Sequence, residues 1–198
     1  MATVVVPFRS HDPKRRLDGV PERDRVRLAE AMLADVLDAA APVGRLFVVS
    51  ADAPRLPEDA MHVPDPRHGQ GAAVRDALDA AVAAGAPPPY LVVNADLPCA
   101  TTRDLLALAG ALPDRGIALV AAPDGTTNAL ALADAGLFEP VYGPGSAERF
   151  AALAESRTLD DPNLADDVDT VEDLVRLASR LGRNTRRVLA SLRLESAA

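Results

Sequence analysis

A single cysteine, Cys99, among 198 residues excludes an internal disulfide. No run of about 18 apolar residues occurs, because the Ala-rich stretch 72–84 is interrupted by Arg75, Asp76 and Asp79, so no segment is fit to span a bilayer. Basic residues are outnumbered, 21 against 29 acidic ones, and the formal charge is −8. That balance argues against a broad nucleic-acid-binding surface and leaves any anionic substrate to be met locally, by metal ions or a few cations. The first residues show no basic region followed by an apolar core and cleavage site, so the expectation is a cytoplasmic protein with no membrane and no nucleic-acid partner. Neither a Walker signature nor G-x-G-x-x-G is present, so the common glycine-loop modes of phosphate binding are not supported. His11, His62 and His68 lack the paired spacing of a zinc site and read as surface or loop residues.

What is present is a strong alternation of strand and helix signals. The length suits one domain over residues 1–198, and a 48% hydrophobic content suffices for a substantial core. Residues 3–8, 46–50, 90–95 and 117–122 are short apolar, β-branched runs that read as buried strands. Between them, residues 21–41, 71–84 and 102–112 carry helical spacing, with Val26, Met32, Leu33, Val36 and Leu37 marking one face of the first. Strands separated by helices of this length imply parallel pairing through right-handed crossovers, hence an α/β fold with a mostly parallel, Rossmann-like three-layer sheet. Pro87–Pro89 is a stiff connector, too short for a domain linker.

Four places invite chemistry. The run Leu91-Val92-Val93-Asn94-Ala95 ends in Asp96-Leu97-Pro98, which puts Asp96 where the strand emerges at the carboxyl edge of the sheet, the edge at which open α/β sheets bind ligands. A carboxylate there can hold a divalent metal against a phosphate; the other reading is a cap for the helix beginning near Thr101. Asp166-Asp167-Val168-Asp169-Thr170 precedes a helix expected over residues 171–181, with Thr170 as N-cap. In an extended segment Asp167 and Asp169 point to one face, as two carboxylates sharing one ion require. Arg9, Lys14, Arg15 and Arg16 crowd the loop after the first strand and could hold a triphosphate; the alternative is a solvated basic turn. Residues 124–128 and 142–146 read as tight turns offering hydroxyls and backbone N–H groups to an anion in one shared pocket, or else as ordinary surface turns. Cys99 reads as a small packed side chain. The basic segment 176–193, including Arg180, Arg183, Arg186 and Arg187, is expected to form the outer face of a terminal helix, with a subunit contact in a homodimer as the alternative use.

In order and spacing, Val6-Pro7-Phe8-Arg9, Lys14-x-Arg16-Leu17, Ala31-Met32-Leu33-Ala34-Asp35-Val36-Leu37, Asp96-Leu97-Pro98, Thr127-Asn128-Ala129-Leu130, Gly143-Pro144-x-Ser146 and Asp167-Val168-Asp169-Thr170 resemble the guanylyltransferases of deazaflavin coenzyme F-420 biosynthesis. The resemblance runs to about Leu177. It implies a glycosyltransferase-A-like nucleotidyltransferase fold and transfer of GMP from GTP to phosphoenolpyruvate or 2-phospho-L-lactate with release of pyrophosphate. It further implies Mg²⁺ held by Asp96, Asp167 and Asp169, contacts to the small phosphorylated acid from Thr127, Gly143 and Ser146, and Lys14 and Arg16 facing the phosphates as catalytic residues with Asp96. The chain departs from the family where Gly-Leu-Asn-Ala-Ala-Leu is frequent: it has Gly69-Gln70-Gly71-Ala72-Ala73-Val74, so Gly71 replaces an asparagine, a change that bears on guanine selectivity. Arg9 stands where Lys is frequent and Arg15 where a small hydroxyl residue is. The Gly-Pro-x-Ser form of the loop at 143–146 inclines the resemblance toward phosphoenolpyruvate.

The implied chemistry accounts for the lack of a catalytic His or Cys. A phosphate monoester, with its second pKa near about 6, is mostly a dianion at neutral pH and attacks phosphorus without a general base. Two other functions remain open on sequence alone: a nucleotidyltransferase of the same fold acting on a sugar phosphate or cofactor precursor, and a non-catalytic nucleotide-binding protein.

Overall fold

A computed structural model of the chain describes residues 1–9, 14, 16–65 and 67–192. His11, Arg15 and the last residue of the segment 176–193, all named above, lie outside the described residues. In chain order the elements are β1 (Ala2–Pro7), α1 (Glu22–Ala40), β2 (Gly44–Ser50), β3 (Met61–Pro64), α2 (Gln70–Ala83), β4 (Tyr90–Val93), α3 (Thr102–Gly110), β5 (Ile117–Ala121), β6 (Thr127–Leu132), a 3₁₀ turn (Ala135–Leu137), α4 (Ser146–Ala151), β7 (Ser156–Thr158), α5 (Pro162–Ala165), α6 (Val171–Arg176) and α7 (Arg183–Ser191).

The seven strands form one sheet in the order β3-β2-β1-β4-β6-β5-β7. Every neighbouring pair is parallel except the two made by β6, which runs against both β4 and β5. The expected parallel alternation therefore holds as far as β5 and fails at β6. Ala121 pairs with Thr127 across a short turn, so β5 and β6 form a hairpin, which needs no crossover helix. Thr127 and Asn128, expected in a turn, open this buried strand instead.

Side chains alternate across the sheet and so build two cores. Val4, Val6, Val48, Leu91 and Val93 face α1 and α3, while Val5, Phe47, Val49, Val92 and Leu119 face α2 and α4. Both faces are covered, which is why the strands read as unbroken apolar runs. A third cluster joins Leu17 and Val20 of the basic loop to Met32 of α1, Cys99, Val168 and Leu174. It is this cluster that fixes the loop against the sheet edge.

The C-terminal region departs from expectation. The helix beginning at Val171 ends at Arg176, and α7 is a separate helix docked on α1. Arg176 and Arg180 do not belong to a terminal helix face: both donate to Asp166, Arg176 at 2.6 Å. Arg183, Arg186 and Arg187 do lie exposed on α7. His62 is a half-buried strand residue bonded to Ser50, and His68 is exposed. Among the described residues no helix is long and apolar enough to cross a membrane.

Candidate active site

Chain segments far apart in sequence meet at the carboxyl edge of β1 and β4. Asp96 leaves the end of β4, and its carbonyl accepts from the amide of Val168 at 3.1 Å, so the two acidic segments are tied by backbone. Val168 is fully buried, which turns the flanking Asp167 and Asp169 together toward Asp96. One carboxylate oxygen from each of Asp96, Asp167 and Asp169 lies within 4.8 Å of the others. The shared face expected from the alternation in sequence is therefore present, and it includes Asp96. Capping does not consume these groups: Thr101 with Asp104 caps α3, and Thr170 with Asp173 caps α6, each as a capping box.

Lys14 enters this cluster from the loop after β1, with a left-handed backbone (φ 55°). Its Nζ donates to Asp96 Oδ2 at 2.7 Å and to Asp169 Oδ1 at 3.2 Å, and Arg16 donates to Asp169 Oδ2 at 2.9 Å. Burial alone would lower the Lys14 pKa, but the carboxylates of Asp96 and Asp169 outweigh it and hold the ammonium above its ordinary value. Asp167 is pushed up to about 6, first by burial and then by the charges of Asp96 and Asp169, with Lys14 acting in the opposite sense. Asp96 Oδ1 is buried and has no hydrogen-bond partner among the described residues. An orphaned buried carboxylate oxygen beside two more carboxylates is a hard oxygen donor set, and it fits a divalent cation.

Asp96, Asp169 and Lys14 line a cavity of about 910 Å³, whose walls also include Phe8, Arg9, Gln70 and Asn94. That volume suits a nucleotide-sized ligand. Arg9, Lys14 and Arg16 thus line the cavity together, as a local positive group on an acidic chain.

Thr127, Gly143 and Ser146 are brought together beside this cavity, not in its wall. The Ser146 hydroxyl donates to Thr127 Oγ1 at 3.1 Å, with both residues buried. Ser146 N donates to Gly143 O at 2.9 Å, and Ala147 N to Gly125 O at 3.2 Å, so the two loops touch. In the first loop the Thr126 amide and hydroxyl are not free for an anion, however, because both donate to Asp124.

Three features escaped sequence reasoning. Arg149 grips the loop before α4 by donating to the carbonyls of Val141, Tyr142 and Pro144, the last at 2.6 Å. Its only sequence signal is a place three residues beyond Ser146, one turn along a helix. Gln70 donates to Asn94 at 2.9 Å across the cavity wall. A Cβ on Gly71 would lie 2.6 Å from Pro140 Cβ, so Pro140 occupies the space an asparagine would take there.

A mixed α/β sheet whose carboxyl edge carries gathered carboxylates, a bridging lysine and a nucleotide-sized cavity suits the binding of a metal-complexed nucleotide, and the family match below makes the chain a nucleotidyltransferase. Solved structures agree on the fold: a Desulfovibrio desulfuricans G20 protein assigned to the nucleotide-diphospho-sugar transferases superposes with a TM-score of 0.73 at 19% identity, covering 96% of this chain and 95% of that one. The 2-C-methyl-D-erythritol 4-phosphate cytidylyltransferase of Thermus thermophilus gives 0.60 at 16% identity, covering 90% and 98%. Residues 2–197 match the family described as guanylyl transferase CofC like, and the chain belongs to that family. It is 34% identical to the phosphoenolpyruvate guanylyltransferase of Roseiflexus sp. (strain RS-1), over 96% of this chain and 91% of that one. It is 38% identical to the Sphaerobacter thermophilus protein of the same name, over 90% and 93%. To the 2-phospho-L-lactate guanylyltransferase of Methanosphaerula palustris it is 33% identical, over 87% and 82%.

Proposed function

We propose that this enzyme transfers GMP from GTP to phosphoenolpyruvate, releasing pyrophosphate, with 2-phospho-L-lactate as the competing acceptor. The observation that carries the proposal is the Asp96, Asp167 and Asp169 cluster, in which Lys14 bridges Asp96 and Asp169 at the wall of the cavity. Membership of the family and the names of the Roseiflexus and Sphaerobacter relatives support the acceptor and the role in coenzyme F-420 biosynthesis.

The acceptor's phosphate oxygen forms a bond to the α-phosphorus of GTP while the bond from that phosphorus to the bridging oxygen of the β-phosphate breaks, and the electron pair leaves with pyrophosphate. No proton has to move, because the attacking monoester is already a dianion. The task for the protein is to bring two anions together and to neutralise charge on the departing group. Lys14, fixed between two carboxylates, and the more exposed Arg16 would face the phosphates. Asp96, Asp167 and Asp169 would hold Mg²⁺, which supplies Lewis-acid neutralisation of phosphate oxygens when bound. Thr127, Gly143 and Ser146 would receive the acceptor, with Arg149 fixing the loop. The setting we propose is cytoplasmic, with a homodimer through the exposed arginines of α7 as a further expectation, read by sedimentation.

The test is pyrophosphate release from GTP and Mg²⁺ with phosphoenolpyruvate, with 2-phospho-L-lactate and without acceptor. Release that depends on phosphoenolpyruvate is expected. Release with neither acid would point to a different phosphorylated acceptor, and GTP binding without turnover under any acceptor would point to a non-catalytic nucleotide-binding protein.

A further inference from the structure

Gln70 is the first residue of α2, exposed at the cavity wall. Its side chain is the outer member of a file of amides. Gln70 Nε2 donates to Asn94 Oδ1 at 2.9 Å, Asn94 Nδ2 donates to Asn128 Oδ1 at 3.4 Å and to the Thr127 carbonyl at 3.3 Å, and Asn128 Nδ2 donates to the Ala165 carbonyl at 2.9 Å. Backbone carbonyls only accept. The carbonyls of Ala165 and Thr127 therefore fix which end of each amide is oxygen, and that choice is passed outward to Gln70. Gln70 must spend an N–H on Asn94, which leaves Oε1, with no partner among the described residues, as an acceptor at the cavity wall.

We propose that Gln70 determines base specificity, its oriented Oε1 accepting from the N1–H and 2-amino edge of a guanine. Adenine carries no donor at those two positions, so an acceptor that cannot turn over discriminates between the purines. The middle member of the file, Asn94, lies two residues before Asp96, so the partner of the base-reading amide and the first carboxylate of the acidic cluster sit on one short segment after β4. The inference also explains how the chain manages without a polar side chain at 71, where Pro140 fills the space. The amide is supplied one residue earlier instead.

The inference rests on the guanylyl-transfer reading and deepens it. The test compares binding of GTP and of ATP, each with Mg²⁺, to the wild-type chain, to Gln70→Leu and to Asn128→Leu by calorimetry, alongside pyrophosphate release. Gln70 is exposed, so its variant folds, and GTP binding should weaken roughly 3–10-fold, the worth of one hydrogen bond, with ATP binding unchanged. Asn128→Leu removes the anchor to Ala165 but leaves the Thr127 carbonyl holding Asn94, so the GTP-to-ATP preference should narrow less than in Gln70→Leu. A preference retained in Gln70→Leu, or equal losses for both nucleotides, overturns the inference alone. A wild-type chain that binds ATP as tightly as GTP overturns the guanylyl reading and the inference with it.

Discussion

Replacing Gly182 by alanine should destabilise the chain far more than one methyl group suggests. Gly182 precedes α7, and a Cβ there would lie 2.2 Å from Asp35 Cγ and within 2.6 Å of both its carboxylate oxygens. Asp35 cannot swing away cheaply: it is 5% exposed and accepts the amides of Asn184 at 2.8 Å and Thr185 at 2.9 Å, so a side chain from α1 caps α7. Either the carboxylate abandons both amides or α7 lifts off α1. Hydrogen bonds to a charged group are worth about 1.5–3 kcal/mol each, which puts the loss at about 3 kcal/mol or more. For a chain of this size that is a fall in Tm of roughly 6–12 °C. Urea unfolding should show the same loss. The double variant Asp35→Ala, Gly182→Ala should be little worse than either single one, because both remove the same cap. A Tm within about 2 °C of wild type for Gly182→Ala, or losses that simply add in the double variant, would refute the reasoning. The consequence reaches the site, since Gly182 N also donates to Pro98 O at 2.7 Å, just after Asp96.

Asp96→Asn should lower pyrophosphate release by roughly 10³-fold or more, in line with the loss of an electrostatic group at a phosphoryl centre, while circular dichroism and Tm stay near wild type. Undiminished turnover would remove Asp96 from the mechanism. Arg149→Ala releases four hydrogen bonds to the loop before α4. It should raise KM for the acceptor about tenfold, through the misplacement of a binding loop, and leave KM for GTP unchanged; equal rises in both would contradict the assignment. Cys99 is 2% exposed, and burial pushes its thiol up from the ordinary value, so an aromatic disulfide reagent should modify it only after unfolding. Stoichiometric labelling of the native chain would show that this packing is wrong.

The parallel half of the sheet was legible because burial on both faces leaves an unambiguous mark. Val4, Val5 and Val6 belong alternately to the two cores, so the run shows no polar break. β3 escaped because only four residues pair at an edge, with Met61 and Pro64 exposed and His62 half-buried. β6 escaped for another reason. Thr127 and Asn128 have turn-like chemistry, yet Thr127 shares its hydroxyl with Ser146 and Asn128 spends its amide on Asn94 and Ala165, so tertiary partners make both acceptable in a buried strand. The start of α7 likewise depends on a distant contact, the capping of its Asn184 and Thr185 amides by Asp35 of α1.

The candidate site was legible to the extent that its chemistry is local. Asp167 and Asp169 alternate, and Asp96 is set by the end of a strand, so each could be placed on an edge without knowing its neighbours. What joins them is not local: the amide of Val168 reaches the Asp96 carbonyl, and Lys14 crosses 82 and 155 positions of sequence to its two carboxylates. The departure at Gly71 shows the same limit from the other side. Read alone, an asparagine lost from a family motif suggests weakened guanine selection. With Pro140 packed into the space that the asparagine would fill and an oriented amide one position earlier, the pair Gln70 and Gly71 becomes a single exchange, in which the wall of the cavity closes in and the polar group moves along the helix. It follows that restoring asparagine at 71 alone should not restore a lost contact. It would drive Pro140 aside, at the cost of overpacking, and leave the base-reading group where it already stands.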